Sequence, residues 1–370
     1  MKVFLLGPAN SIHMQRWVHG LSARDLQITL VTQHVDDAYV PPSNVRLLQL
    51  PFSGSRGYFL NAWHLARMLK RERPDLVNAH YASGYGALSA LVNFQPIILS
   101  VWGSDVYDFP YKSPLHRWGV VSNLQAADAI ASTSHCMAEQ TRSLVPSLGE
   151  IAITPFGVDC RHFTPQARET RTADSPLVIG TVKTLSPKYG IDVLIRAFAL
   201  ARRALAQIDA DLSNRLHLRI VGGGPDAAVL QQLANQLQVA EVVEFVGPVT
   251  HDQVPAELHK FDIFVALSRS ESESFGVAAI EASAVGLPVV VSDAGGLPEV
   301  VLHGQTGLVV PKENAQAAAD ALLQLIQSPA LRQQLGSAGR AHVLANYSWD
   351  ACVQHMIAVY ERVIAKHQKT

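Results

Sequence analysis

The stretch DIFVALSRSESESFGVAAIEASAVGLPVVVSD, residues 262–293, decides the fold, because it holds a strand, a loop, a helix and a second strand in succession. DIFVALS and PVVVSD are short apolar runs, which are typical of strands buried on both faces of a parallel sheet. The helix between them consists of small and apolar residues apart from Glu281. A carboxylate buried among such residues costs free energy unless it has partners, so Glu281 predicts a bound group or a paired side chain.

Runs of the same kind recur along the chain, and the segments between them, such as LIRAFALARRALAQ, are long enough for crossover helices. Because the runs are continuously apolar rather than alternating, they indicate parallel strands with both faces covered. The sequence therefore predicts an α/β protein with two doubly wound, Rossmann-like parallel-sheet domains. The other runs are KVFLLG, QITLVT, VRLLQL, DLVNAH, IILSVW, AIASTS, IAITPF, LVIGTV, LRIVGG, VVEFVG and TGLVV.

A polar segment between the two halves marks the predicted domain boundary. TPQARETRTADSP, residues 164–176, has no apolar residue except alanine, which is typical of a linker. The predicted domains are residues 1–168 and 175–347. Residues 348–367 have the period of one amphipathic helix, which we expect to pack back on the first domain.

The composition excludes several classes of protein. The chain has 370 residues, with 30 Lys and Arg against 31 Asp and Glu, so no overall field favours nucleic acid as a partner. Its three cysteines are far apart and form no CxxC, which argues against a disulfide framework and for a reducing compartment. The apolar run after Lys2 is too short for a signal peptide, and no run of about 18 apolar residues is present. The sequence thus predicts a cytoplasmic protein.

The loop after DIFVALS is a candidate ligand-binding segment, because ligands of open α/β sheets bind at the carboxyl ends of the strands. We predict that a helix begins near Phe275 and Gly276, where its first backbone N–H groups attract anions or hydroxyl oxygens. Glu273 and Glu281 are spaced to hold separate parts of one hydroxyl-rich ligand, since carboxylates accept strong hydrogen bonds. The alternative is that Glu281 pairs with a nearby arginine and that the loop is merely solvated.

The pattern from Glu273 to Glu281, followed by GLPV at 286–289 and GGLPE at 295–299, resembles the E-x7-E signature of retaining GT-B glycosyltransferases. These are the glycosyl transferases group 1, family 4. The resemblance covers nearly the whole chain and is strongest from Leu177 to Val310. It implies the GT-B fold, in which an acceptor domain and a nucleotide-sugar donor domain, each Rossmann-like, face one another across a cleft.

The resemblance also implies roles for the residues around the signature. It implies that Glu273 contacts hydroxyls of the donor sugar and that Glu281 binds the ribose of the nucleotide. The segment from Ser274 is implied to contact the sugar and diphosphate through backbone N–H groups, namely those of Phe275, Gly276 and Val277.

Two lysines are candidates for neutralising a diphosphate, which needs positive charge as the glycosidic bond breaks. Lys183 ends LVIGTVK and Lys188 follows five residues later. The family has an arginine and a lysine at this spacing, whereas this chain has Lys183 for the arginine and Tyr189 between Lys188 and the next glycine. The alternative is that both are solvated loop lysines. The D-x-D at 209–211 lies in a polar loop, and the resemblance implies a reaction without a metal ion or other cofactor.

A glycine-rich turn offers a competing signal. LRIVGGGPDAA places Gly222, Gly223 and Gly224 after a strand, and acidic residues follow about twenty positions later, as in a dinucleotide-binding fingerprint. The family has a similar Gly-x-Gly-Pro beside the nucleotide, so the resemblance implies a donor-binding loop, with Val246 near the base. An NAD-type oxidoreductase remains the alternative from this motif alone.

The first half supplies candidates for the acceptor and the reacting centre. Gly7 and His13 lie in the first strand-to-helix turn, which in the family faces the donor phosphates and the acceptor. His80, Asp105 and His135 follow three later strands and are implied catalytic or acceptor contacts. A plain surface histidine is the alternative for His13.

The first half departs from the family pattern at two positions and contains one unusual helix. Trp102 stands where many members have histidine, and Phe156 stands where they have asparagine. YFLNAWHLARMLKRER, from Tyr58 to Arg73, combines aromatic residues with a basic end. Such a helix could contact an anionic membrane; the alternative is core packing, with the basic end complementing the helix dipole.

These signals together predict a retaining glycosyltransferase that uses a UDP- or GDP-linked sugar. The resemblance implies a glycan or lipid-linked acceptor and a role in cell-surface polysaccharide or lipopolysaccharide synthesis. The predicted location is cytoplasmic, with possible peripheral contact at the inner face of the membrane. Two alternatives remain, an NAD-type oxidoreductase and a non-catalytic protein that binds sugar nucleotides.

Overall fold

The computed structural model describes residues 1–166, 175–269 and 273–369. The chain divides into two compact units, Met1–Gly157 with Trp349–Thr370, and Val158–Ser348. Most of the predicted linker, at 167–174, lies outside the described residues, as does the predicted boundary at 168.

The first unit contains a sheet of seven strands among the described residues, and every pairing is parallel. Its strands are β1 (Lys2–Leu6), β2 (Gln27–Thr32), β3 (Arg46–Gln49), β4 (Leu76–His80), β5 (Ile97–Val101), β6 (Ala129–Ser132) and β7 (Ile151–Ile153). They lie in the order β3-β2-β1-β4-β5-β6-β7. The connecting helices are α1 (Ile12–Ser22), α2 (Gly54–Leu60), α3 (Ala62–Glu72), α4 (Gly84–Ala90), α5 (Ser104–Tyr107), α6 (Pro114–Ala126) and α7 (His135–Leu144), with a 3-10 turn at Phe109–Tyr111.

The second unit contains a six-stranded sheet within the described ranges, again parallel throughout. Its strands are β8 (Leu177–Val182), β9 (Leu216–Val221), β10 (Val243–Gly247), β11 (Ile263–Ala266), β12 (Val289–Ser292) and β13 (Leu308–Val310), in the order β10-β9-β8-β11-β12-β13. Its helices are α8 (Ile191–Ala206), α9 (Ala210–Asn214), α10 (Ala227–Gln236), α11 (Val254–Leu258), α12 (Val277–Ala284), α13 (Leu297–Val300), α14 (Ala315–Gln327) and α15 (Pro329–Asn346). Short 3-10 turns occupy Pro187–Tyr189, Ala240–Val242 and His251–Gln253.

The two sheets confirm the predicted pair of doubly wound domains, and helix α8 shows why the sequence folds this way. Its residues Ile191, Leu194, Ile195, Phe198 and Leu205 are buried and recur at the spacing of one helix face. This face packs in the core of the second unit, and α8 also contacts α14. Burying one such side chain contributes about 1.5–3 kcal/mol, so a continuous apolar stripe fixes the helix against the sheet.

The last helix, α16 (Trp349–His367), belongs to the first unit. Its Trp349 ring packs against Trp17 of α1 with 5.0 Å between ring centroids. The hydroxyl of the buried Tyr360 donates to Asn78 Oδ1 of β4 at 2.7 Å. A ring contact and a buried hydrogen bond thus attach α16 to both a helix and a strand of this unit.

The first unit ends at Gly157 rather than near residue 168. Val158 already forms a bridge with Ser348, and its N–H donates to the Tyr347 carbonyl at 2.8 Å. Phe163 is buried in the second unit, where its ring lies 5.3 Å from that of His251. The domain boundary was predicted from the polar composition of residues 164–176. In the structure, the packing of Val158 and Phe163 places these residues in the second unit.

Candidate active site

The carboxyl edge of the second sheet collects most of the predicted donor-binding residues. Lys183 directly follows β8, Gly222 directly follows β9, and Ser268 comes two residues after β11. These three strands are neighbours in the sheet and parallel, so their carboxyl ends meet at one edge.

Glu273 and Lys183 form a nearly buried ion pair at this edge. The Lys183 ammonium donates to both carboxylate oxygens of Glu273 at 3.0 Å, and the Ser268 hydroxyl donates to one of them at 2.9 Å. The Lys183 and Glu273 side chains are only 11% and 9% exposed. Burial pushes the pKa of Glu273 upward, but the charge of Lys183 and the hydrogen bonds from Lys183 and Ser268 hold it below its usual value. Glu273 is therefore ionised at neutral pH and fixed in direction.

Further hydrogen bonds anchor the segments that carry this pair. The Ser292 hydroxyl at the end of β12 donates to the Ser268 carbonyl at 2.6 Å, and the Gly296 N–H donates to the Glu273 carbonyl at 2.8 Å. Ser268 was not predicted as a partner of Glu273. The available signal was a hydroxyl residue at the end of a buried strand, five positions before the acid.

Tyr189 lies beside both candidate lysines. Its ring centroid is 4.7 Å from the Lys183 ammonium and 5.5 Å from the Lys188 ammonium. Burial raises the pKa of Tyr189, so the phenol is neutral at physiological pH. The Lys188 carbonyl accepts from the Arg269 N–H at 2.9 Å, which ties the turn after β8 to the loop after β11. The residue that interrupts the family pattern is thus an aromatic neighbour of both cations.

The glycines after β9 are needed for close backbone packing. Gly222 has a φ of +138°, and a Cβ at this position would overlap the Lys183 carbonyl oxygen. A Cβ at Gly224 would overlap the Leu185 carbonyl oxygen, whereas one at Gly223 would lie 3.4 Å from Pro248 Cδ. Val246 lies in β10 directly before Gly247, whose carbonyl accepts from the Gly222 N–H at 2.9 Å. Two of the three glycines let the loop after β9 pass beside the backbone that carries Lys183.

Helix α12 begins at Val277, one to two residues after the predicted start. Gly276 is its N-cap with a φ of +99°, and the ladder within the helix opens with the Ala279 N–H donating to the Gly276 carbonyl at 3.0 Å. Ser274 is half-buried, and the buried Phe275 ring packs 5.7 Å from Tyr347. The Phe275 ring thus faces the protein, so its backbone is the part suited to contact a ligand.

Glu281 has a histidine as a partner. It is buried in α12, and its Oε1 lies 2.8 Å from Nε2 of the partly exposed His251. The sequence alternative assigned it an arginine, whereas the group at hydrogen-bond distance is the His251 ring. Nothing in the local pattern pointed to His251, because it lies thirty residues upstream in another loop.

In the first unit, four aromatic side chains at the carboxyl edge of the sheet form one cluster. His13 stacks on Phe156 at 4.3 Å between centroids, and Trp102 lies 5.5 Å from Phe156 and 4.5 Å from His80. Gly7 directly follows β1 and donates to the Val31 carbonyl at 3.2 Å. The two positions that depart from the family pattern, Trp102 and Phe156, are therefore in contact with each other.

Asp105, a predicted catalytic residue, makes hydrogen bonds to the backbone. Its buried carboxylate accepts hydrogen bonds from the N–H groups of Ala82, Trp102 and Gly103 at 2.7, 3.1 and 2.8 Å. These bonds join the turns after β4 and β5. The Asp105 carboxylate therefore holds these two loops together.

His80, another predicted catalytic residue, is buried at the end of β4 beside Trp102. Neither of its ring nitrogens has a hydrogen-bond partner among the described residues. Burial lowers the pKa of His80 to about 3, so the ring is neutral in the folded chain at all physiological pH values.

This burial predicts acid destabilisation of the first unit. Between pH 6.5 and about 3 the unfolded chain binds a proton at His80 that the folded chain excludes, so stability falls as the pH falls through this window. Wild type should lose about 2 kcal/mol more than His80→Leu between pH 7 and pH 5. Urea unfolding followed by tryptophan fluorescence measures this, because all five tryptophans belong to the first unit. Equal losses in the two proteins would contradict the assignment.

Across residues 1–166, 175–269 and 273–369, no group of three or more His, Cys, Asp or Glu side chains is arranged to hold a metal ion. In those same ranges no helix is both long and apolar enough to cross a bilayer.

Family models match both halves of the chain. The model described as glycosyl transferases group 1 matches residues 163–342, and the one described as glycosyl transferase 4-like matches residues 2–134. The first match contains the predicted donor residues from Lys183 to Glu281, and the second contains Gly7, His13, His80 and Asp105.

Two relatives are similar over most of the chain. The D-inositol 3-phosphate glycosyltransferase of Pseudarthrobacter chlorophenolicus is 33% identical over 81% of this chain and 74% of its own length. The GDP-mannose-dependent alpha-(1-6)-phosphatidylinositol monomannoside mannosyltransferase of Mycobacterium tuberculosis is 32% identical over 65% of this chain. The chain spans 62% of the length of that mannosyltransferase.

A solved structure matches the whole architecture. HepE of Anabaena, in complex with UDP, has a TM-score of 0.77 at 18% identity, covering 98% of this chain and all of that one. At this identity the likeness shows the fold alone. It confirms the GT-B class predicted for the two parallel-sheet units.

Proposed function

The chain belongs to the glycosyl transferases group 1 family, and from this premise we propose that it is a retaining glycosyltransferase. It moves a sugar from a nucleotide-diphosphate sugar to a glycan or lipid-linked acceptor, without a metal ion, in the synthesis of cell-surface polysaccharide or lipopolysaccharide. The observation that carries the proposal is Glu273, held ionised beside Lys183 at the carboxyl edge of the second sheet, with Glu281 eight residues later.

The donor side of the reaction follows from the second unit. Glu273 accepts hydrogen bonds from the sugar hydroxyls, and Glu281 accepts them from the ribose. As the diphosphate departs, Lys188 and the N-terminus of α12 stabilise its charge while positive charge develops at the anomeric carbon. The relatives support such a donor, since one is a GDP-mannose-dependent mannosyltransferase and HepE was solved in complex with UDP.

The oxidoreductase alternative loses its support from the glycine motif. Gly222 and Gly224 are explained by the carbonyl oxygens of Lys183 and Leu185, which leave no room for a Cβ. These two positions therefore require glycine whether or not a dinucleotide binds. Titration with NADH separates the two proposals: binding of NADH, with no binding of UDP or GDP, would overturn ours.

A nucleotide-binding experiment tests the proposed ribose contact. We expect either UDP or GDP to bind wild type in isothermal titration, and Glu281→Ala to weaken that binding about tenfold or more, because it removes hydrogen bonds to a charged acceptor. Glu241→Ala is the matched control, since Glu241 is an exposed acid before β10 in the same unit. If Glu281→Ala and Glu241→Ala bound the nucleotide equally, the ribose role would be wrong.

Catalysis is distinguished from mere binding by turnover. Wild type should release nucleoside diphosphate from a nucleotide sugar, by hydrolysis or by transfer, and Glu273→Ala should abolish this release while the free diphosphate still binds. Binding of the nucleotide sugar by wild type with no release in the presence of glycan or lipid-linked acceptors would favour the non-catalytic alternative.

For a lipid-linked acceptor we propose that the first unit contacts an anionic membrane. Trp63 in α3 and Trp118 in α6 are 63% and 67% exposed, and helix α4 contacts both α2 and α6. The Arg67 guanidinium lies 5.6 Å from the Trp63 ring and that of Arg117 lies 6.0 Å from the Tyr111 ring. Exposed aromatic rings beside cations suit the headgroup region of an anionic bilayer.

Vesicle binding tests this contact. Wild type should sediment with vesicles rich in phosphatidylglycerol and not with phosphatidylcholine vesicles, and salt should weaken the binding. The double variant Trp63→Ala/Trp118→Ala should bind roughly tenfold or more weakly, because two rings no longer insert. Ile208→Ala, an exposed apolar residue of the second unit, should bind like wild type. Unchanged sedimentation of the double variant would refute the contact.

A further inference from the structure

We propose that Lys183 serves the sugar end of the donor by holding Glu273 in position, and that Lys188, rather than Lys183, carries the interaction with the diphosphate. This inference rests on the proposed function and refines it. It departs from the expectation, based on the family pattern, that both cations neutralise the diphosphate.

The carboxylate of Glu273 already engages Lys183. The Lys183 ammonium, which has three N–H donors, donates to both Glu273 oxygens, each at 3.0 Å from Nζ. Both side chains are nearly buried, so the pair is shielded from water. If Lys183 turned to a diphosphate, Glu273 would keep the Ser268 hydroxyl but lose its counter-charge, which is costly for a buried carboxylate.

The charges of these side chains support the same assignment of roles to the two lysines. Lys183 and Glu273 carry opposite unit charges, so together they offer no net charge to a diphosphate. Lys188 acts on the Glu273 carboxylate through its charge, and no hydrogen bond between the two is among the contacts described here. Since Lys183 is engaged with Glu273, we assign the interaction with the diphosphate to Lys188, the other lysine of this turn.

Tyr189 gives a structural reason for the change from the family pattern. Its ring lies within 4.7 Å of the Lys183 ammonium, which gains a cation–π contact in addition to Glu273. An ammonium fits between a carboxylate and a ring face as a compact charge, whereas an arginine fork needs a planar, two-point partner. Lys183 and Tyr189, the two departures in this turn, are thus adjacent parts of one arrangement around Glu273.

Comparing a nucleoside diphosphate with the matching nucleotide sugar separates the two lysines. UDP, UDP-glucose, GDP and GDP-mannose would each be titrated into wild type, Lys183→Met and Lys188→Met. We expect Lys183→Met to weaken nucleotide-sugar binding about tenfold or more and to leave UDP or GDP binding within about threefold. Lys188→Met should weaken the diphosphate and the nucleotide sugar by similar factors.

Two further variants keep the test independent of folding defects. Glu273→Gln should show the same selective loss as Lys183→Met, and the double variant Lys183→Met/Glu273→Gln, which buries no unpaired charge, should lose no more than either single variant. Lys183→Arg should retain less nucleotide-sugar affinity than wild type while binding the diphosphate normally.

Each result decides the inference. If Lys183→Met weakened UDP or GDP as strongly as Lys188→Met did, or changed neither ligand class, the inference would be wrong while the proposed function stood. If wild type bound neither UDP, GDP nor their sugars, the proposed function would fail and the inference with it.

Discussion

Replacing Lys188 by alanine should lower the rate of glycosyl transfer by about a hundredfold or more, the scale seen when one preorganised electrostatic group is removed. The lysine lies in the turn after β8, and its carbonyl accepts from the Arg269 N–H at 2.9 Å, so its backbone position is fixed before the donor binds. Because negative charge grows on the diphosphate as the bond breaks, the loss should fall on kcat as well as on donor affinity.

The control for this variant is Lys260→Ala. Lys260 precedes β11 and therefore lies at the amino edge of the same sheet, where it pairs with Glu257 at 2.7 Å. Its removal should change the rate less than about twofold, because the exposed Lys260 side chain lies at the opposite edge of the sheet and Glu257 keeps Arg219 as a partner at 2.8 Å. Single-turnover release of nucleoside diphosphate measures both variants. Equal rates for Lys188→Ala and wild type would remove Lys188 from the mechanism.

Replacing Gly222 by alanine should lower the free energy of unfolding of the second unit by about 2–4 kcal/mol. The backbone there has a φ of +138°, which residues with a Cβ rarely adopt, and the new atom would overlap the Lys183 carbonyl oxygen. Relief requires the strand end that carries Lys183 to move, so nucleotide-sugar binding should weaken in the same variant.

The neighbouring glycine provides a matched control. A Cβ at Gly223 would lie 3.4 Å from Pro248 Cδ, an ordinary contact, and its φ is not in the left-handed region. Gly223→Ala should therefore change stability by less than about 1 kcal/mol. Urea unfolding followed by far-ultraviolet circular dichroism compares the two. If both alanine variants unfolded at the wild-type midpoint, the packing explanation for the glycine motif would be refuted.

The fold was predictable because each buried strand can be recognised from the composition of its own short segment. Parallel strands covered on both faces are continuous apolar runs, and β4, β5, β11 and β12 are buried at every residue. The end of the first unit was not predictable in this way. It depends on the packing of Phe163 and the bridge of Val158 to Ser348, which join residues far apart in sequence.

The candidate site was likewise predictable in part. Strand ends bring Lys183, Gly222 and Glu273 to one edge, and the sequence located that edge because parallel topology decides it. The sequence did not show which side chains of the site pair with each other. His251 lies thirty residues from Glu281, and a pattern of residue types does not say which partner a buried carboxylate reaches. For the same reason Asp105 resembled an active-site acid in sequence, whereas its hydrogen bonds are to backbone.

Helix α16 has a consequence for biosynthesis. Because residues from Trp349 onward complete the first unit, a ribosome must translate the whole of Val158–Ser348 before that unit can acquire its Tyr360–Asn78 bond and its Trp349–Trp17 contact. Domains generally fold as units, so the second unit does not need α16 to fold, although it is translated after most of the first unit. A chain truncated before Trp349 would contain a complete second unit joined to an incomplete first one, with the surface that α16 covers open to chaperones.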